Sequence, residues 1–112
     1  MGTVMGGGFE FTPQQIDLQI SRCSQMLSEL GADVQAAQAA QMAVHPPAPD
    51  GASVAQANAV KNFFAQTESA FQAGLNFVSR WQTNLANAKA NYMQTEHLTA
   101  DEWNRISNGI ES

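Results

Sequence analysis

The stretch His45-Pro46-Pro47-Ala48-Pro49-Asp50-Gly51 decides how this chain folds. Its three prolines remove backbone donors and push the residues before them into extended geometry, so a helix arriving from either side must stop here. On both sides the sequence is rich in Ala, Gln and Asn, and no proline lies between Pro13 and Pro46 or beyond Pro49. The stretch is therefore the expected turn of an antiparallel two-helix hairpin, an all-α fold.

Helix starts are written on both sides. Thr12, Pro13 and Gln15 supply an N-cap, a proline at the first helical position and a capping-box partner, which predicts a first helix over about 13–44. Ser53 and Gln56 form a second box, predicting a second helix over about 54–96. Thr99 and Glu102 form a third, opening a short C-terminal helix through Trp103 and Ile106 before Asn108-Gly109. The chain then divides into a flexible, Gly-rich N-terminal segment (1–11), a hairpin domain (12–98), and a short C-terminal helix and tail (99–112).

Apolar residues recur in alternating steps of four and three. In helix one they are Ile16, Ile20, Cys23, Leu27, Leu30, Val34 and Ala37; in helix two they run from Val60 through Phe64, Thr67, Phe71, Gly74, Val78, Trp81, Leu85 and Ala88 to Tyr92. These are heptad seams, and folding about the turn pairs Ile16 with Trp81, Cys23 with Gly74, Leu30 with Thr67 and Val34 with Phe64. Gly74 is expected to permit close approach of a bulky neighbour. Cys23 reads as a small buried thiol, since no His or acid accompanies it in its layer.

The flanks of the seam differ. One side carries Asp17, Ser24, Gly31 and Gln38 with Lys61, Glu68, Leu75, Gln82 and Lys89. The other carries Gln19, Met26, Asp33 and Ala40 with Phe63, Ala70 and Phe77. Two helices alone cannot cover Met26, Phe63 and Phe77, so the second flank reads as a binding surface. The residues expected to meet a partner are Met26, Ala40, Phe63, Ala70 and Phe77, with Leu85 toward the far end of helix two.

Composition narrows the function. Only 13% of residues are charged, against 44% apolar, which favours helices that contact other protein surfaces. With a net charge of -5 and five scattered basic residues, nothing matches a phosphate backbone, so no nucleic-acid partner is expected. There is no run of about 18 apolar residues and no basic, apolar leader, so neither a membrane span nor a Sec signal is expected. His45 and His97 lie at opposite ends of the hairpin without companions, and no paired acids, nucleophile or phosphate loop occurs. No catalytic residue, metal site or cofactor is assigned, and the chain is not expected to be an enzyme.

Tyr92 and Glu96, in Asn91-Tyr92-Met93-Gln94-Thr95-Glu96, stand one turn apart on one face of helix two. With Ile16 paired to Trp81, the start of helix one falls near Asn84. The last dozen residues of helix two, roughly 18 Å at about 1.5 Å each, are then expected to project past it with Tyr92 and Glu96 aboard. Phe9 and Phe11 are within reach of Leu85 and Ala88. Tyr92 also holds a seam position, so ordinary packing is the competing account of it.

A helix, a proline turn, a longer second helix and Tyr-x-x-x-Glu together resemble substrates of the actinobacterial type VII (ESX) secretion systems. The resemblance is to the PE family, whose endings are similar to Tyr92-Met93-Gln94-Thr95-Glu96, and it extends along nearly the whole chain. The related Trp-x-Gly hairpins carry their motif in the turn; here Trp81 is followed by Gln82-Thr83, and the turn has no tryptophan. Where the family has Pro-Glu near its start, this chain has Pro13-Gln14.

The resemblance implies a non-catalytic substrate that pairs with a PPE-like helical partner, which supplies Trp-x-Gly in a four-helix bundle. The pair would be exported folded from the cytoplasm to the envelope or beyond, without a cleavable Sec signal. Tyr92 and Glu96 would be this chain's share of a signal read by the secretion machinery. The alternative, from the residues alone, is a cytosolic homodimeric hairpin adaptor whose apolar flank meets its own copy.

Overall fold

A computed structural model describes residues 4–6 and 9–109 of the chain. A short antiparallel ribbon, β1 (Val4–Gly6) and β2 (Phe9–Phe11), pairs Val4 with Phe11 and Gly6 with Phe9. Helices α1 (Pro13–Ala43), α2 (Gly51–Thr95) and α3 (Ala100–Ser107) follow. The two long helices pack against each other as a hairpin, and α3 is the expected short C-terminal helix. Sequence placed the ribbon within a flexible segment; its remaining residues 1–3, 7 and 8, like 110–112 of the tail, lie outside the described residues.

The caps explain the helix ends. Gln15 donates its backbone N–H to Thr12 Oγ1 (3.2 Å), while Thr12 N–H donates to Gln15 Oε1 (2.8 Å). The Thr99–Glu102 box is likewise reciprocal. Helix α2 starts earlier than expected because Asp50, not Ser53, caps it. Ser53 donates its backbone N–H to one Asp50 oxygen (2.8 Å) and its hydroxyl to the other (3.1 Å).

Two compact units make up the chain, and α1 and α2 contribute to both. One comprises Met1–Gln25 with Val78–Ser112, the other Met26–Phe77. In the first, Ile16, Cys23, Val78, Leu85, Ala88 and Trp103 are buried, and the Phe11 ring meets Trp81 edge to face at 6.3 Å. The Cys23 thiol is free, and burial pushes its pKa up, as a packing residue requires. In the second unit the buried apolar residues are only Val34, Ala37 and Ala57. Two helices and a loop bury a narrow stripe there, and the larger side chains stay partly in water.

Helix pairing is offset from the expected register by one heptad. Leu30, expected opposite Thr67, lies against Gly74, seven residues further along α2. A repeat of seven looks the same after a slip of seven, so the seam alone does not choose between the two registers. The turn chooses. Seven residues, Val44 to Asp50, separate the helices, and at up to about 3.3 Å each against about 1.5 Å in a helix they are long enough for the proline stretch to run back along α2 instead of ending the hairpin abruptly. Val44, His45 and Pro47 line a shallow hollow with Gln56, Ala57 and Val60, so the first turns of α2 face the loop.

Candidate functional site

The polar flank closes on itself. Lys89 Nζ pairs with Asp17 Oδ1 at 3.1 Å, and Gln82 donates to Ser24 Oγ (2.7 Å) and to the Ile20 carbonyl (3.0 Å). In the Met26–Phe77 unit, Gln38 and Gln41 donate to the two oxygens of Glu68 at 3.2 and 2.7 Å. Asp17, Ser24, Gln38, Glu68, Gln82 and Lys89 lie on the flank read as polar, while Ile20 and Gln41 belong to the seam beside it, and each contact joins α1 to α2. A partner docking on this side would have to displace hydrogen bonds that are already made.

The apolar flank is open. Phe63 and Phe77 are each 62% exposed and Met26 is 47% exposed, while Ala70 is exposed and Ala40 half-buried. Phe63, Ala70 and Phe77 are spaced by seven on α2, and Met26, Asp33 and Ala40 by seven on α1, so each set lies along one side of its helix. The Phe63 and Phe64 rings stack edge to face at 5.6 Å, which stiffens the aromatic surface. Beside it, Asp33, Ala37 and Ala40 form a shallow hollow with Phe64, Thr67 and Phe71, floored by small side chains and of a size to seat a protruding one.

Leu85 does not belong to this surface. It is fully buried in the unit that includes Trp103, because the slipped register brings this part of α2 beside the start of α1, where Lys89 already meets Asp17. The same slip removes most of the projection expected for the end of α2.

Tyr92 is half-buried and Glu96 is exposed. Both lie where α2 ends, with the Glu96 N–H donating to the Tyr92 carbonyl at 2.9 Å. His97 then takes a left-handed φ of 56°, and Leu98 donates back to the Met93 carbonyl at 2.8 Å, a helix stop more often built on glycine. That stop reverses the chain and lays α3 over the helix end. Sequence left Tyr92 uncovered; instead its ring meets Trp103 edge to face at 5.9 Å. Trp103 is only 1% exposed and donates its indole N–H to Asp17 Oδ2 at 2.8 Å, and the Lys89 ammonium sits 5.0 Å from the ring centroid. The amphipathic pattern Trp103/Ile106 was the available signal for this contact, but it did not name the surface α3 would cover.

Among the described residues, no three His, Cys, Asp or Glu side chains gather as metal ligands, and no helix is long and apolar enough to cross a membrane. No curated protein and no solved structure gives a significant match to the chain. A family model does: that of the PE family matches residues 10–99, taking in both long helices and the Tyr92–Glu96 pair. With Gln14 standing where the family's name has glutamate, and with helix, proline turn and longer helix in place, this chain belongs to the PE family.

Proposed function

We propose that this chain is a non-catalytic type VII secretion substrate that pairs with a PPE-like helical protein through Met26, Ala40, Phe63, Ala70 and Phe77. Membership of the PE family suggests a secreted, non-enzymatic type VII substrate and implies pairing with PPE proteins. The observation that carries the interface is the contrast between flanks: two phenylalanines 62% exposed on one side, and hydrogen-bonded side chains on the other. A unit whose buried apolar residues are one valine and two alanines gains most from helices laid against its open side. The resulting four-helix bundle leaves the cytoplasm folded, and Tyr92 with Glu96 is this chain's share of the export signal.

Co-expression with the PPE-like protein encoded nearest to this chain's gene tests the pairing, and export of the pair in an actinobacterial host tests the signal. The expected result is a stable one-to-one complex that is secreted, and retained when Tyr92→Ala is introduced. A stable homodimer of the chain alone, indifferent to co-expressed partners, would establish the adaptor reading in its place.

A further inference from the structure

The end of α2 is held by a device that the export reading leaves unexplained. Helix α3 has eight residues, too few to persist by itself in water, so its order comes from docking. Trp103 is the one buried side chain of α3. Trp103 is buried against Tyr92, its indole N–H is bonded to Asp17, and the same Asp17 carboxylate holds Lys89, whose ammonium faces the indole ring. The tether is short and strained: a single non-glycine residue in the left-handed region, His97, makes the reversal. At the far end of α3, Gly109 lies against the Gln14 side chain, so close that a β-carbon there would stand 2.9 Å from Gln14 Nε2.

We infer that α3 is a latch over Tyr92: docked, its Trp103 withholds one side of the tyrosine ring from any protein reading the end of α2, and undocked, it presents Tyr92 and Glu96 together. The inference rests on Tyr92 and Glu96 being the export signal. Docking needs no partner, since α1 and α2 supply every contact of Trp103 named above. Undocking breaks one hydrogen bond, one cation–ring contact and one ring pair, and leaves the Asp17–Lys89 ion pair in place. A reader with an apolar slot for a phenol and a cation for Glu96 would compete directly with Trp103 for the ring.

Tyr92 is the chain's single tyrosine, so iodotyrosine formed in the full-length protein, located by peptide mass mapping and counted apart from histidine iodination and Cys, Met or Trp oxidation, reports on this ring alone. Trp103→Ala, and independently Asp17→Ala, should raise the iodination rate severalfold while the helical circular dichroism is kept, and Trp103→Ala should be exported with its partner at least as well as the parent. Unchanged iodination in both variants would overturn the latch whatever export does. Faster iodination with export lost and the fold kept would overturn it too, by making α3 part of what is read. Normal export of Tyr92→Ala would instead remove the signal reading and leave the measured shielding of Tyr92 standing, so the two failures are distinguishable.

Discussion

Leu30 packs on Gly74, with both of its terminal methyls 3.7 Å from where a β-carbon on Gly74 would stand. That distance is ordinary van der Waals contact, so the glycine is not required by its neighbour. An alanine there fills space already shaped for it and removes the entropic weakness of glycine within a helix.

Gly74→Ala should therefore stabilise the chain by about 0.5–1 kcal/mol. Gly31→Ala, with open space around its β-carbon, should do the same. Chemical denaturation checks both. Under the unslipped register Gly74 would face Cys23, and a loss of stability in Gly74→Ala would restore that pairing as a candidate.

Leu85→Ala should cost about 2–5 kcal/mol in the isolated chain, the range for emptying a fully buried leucine site. Phe77→Ser, at a mostly exposed position, should change stability by no more than about 0.5 kcal/mol. Thermal melts of the two variants, side by side, separate core from surface.

Against a helical partner the order reverses. Phe63→Ser and Phe77→Ser should each weaken binding by about 1.5–3 kcal/mol, roughly tenfold to more than a hundredfold in Kd. Gln38→Ala, on the closed polar flank, should leave Kd nearly unchanged. Titration calorimetry with a purified partner reads all three, and equal losses on both flanks would remove the one-sided interface.

The Asp50 cap should make the start of α2 sensitive to acid. Its hydrogen bonds from Ser53 hold the carboxyl below its ordinary pKa, so the folded form binds its proton less readily than the unfolded chain. The stability it contributes is complete above the unfolded carboxylate pKa and is lost as pH falls through the lowered folded value. Protection of the Ser53 and Val54 amides, measured against intrinsic exchange at each pH, should fall in that acidic window, and Asp50→Asn, which keeps the cap without the titration, should abolish the dependence.

His97→Gly should relieve about 1 kcal/mol or more of left-handed strain while α3 stays docked. Denaturation midpoints, and Trp103 fluorescence read in a Trp81→Phe background, measure the two parts independently. A loss of stability would show that the His97 side chain contributes more than its backbone costs.

Much of this was legible because it is local. The proline stretch, the boxes at Thr12–Gln15 and Thr99–Glu102, and the separation of a polar flank from Met26, Phe63 and Phe77 all follow from dihedral preference and heptad position. Helix starts went astray only at Asp50, where an aspartate one residue before Gly51 outcompeted Ser53 for the cap; the pattern Asp-x-x-Ser was present and unread.

The family motif and the open flank were readable for the same reason, since a helical period assigns every residue a side. Register is different. A sequence repeating every seven residues is indifferent to a slip of seven, and only the path of Val44 to Asp50 along α2 chose between Thr67 and Gly74 as the neighbour of Leu30.

From that choice came the burial of Leu85, the meeting of Asp17 with Lys89, and the lost projection of α2. The cover over Tyr92 came from Trp103, eleven residues further along the chain. The helices, their turn, their flanks and the Tyr92–Glu96 spacing could be read from the residues in order, because each depends on neighbours within a turn or two. Which residues face each other across the hairpin and what lies over Tyr92 emerge in the folded chain, because those contacts depend on loop length and on a strained reversal at His97 that no local preference announces.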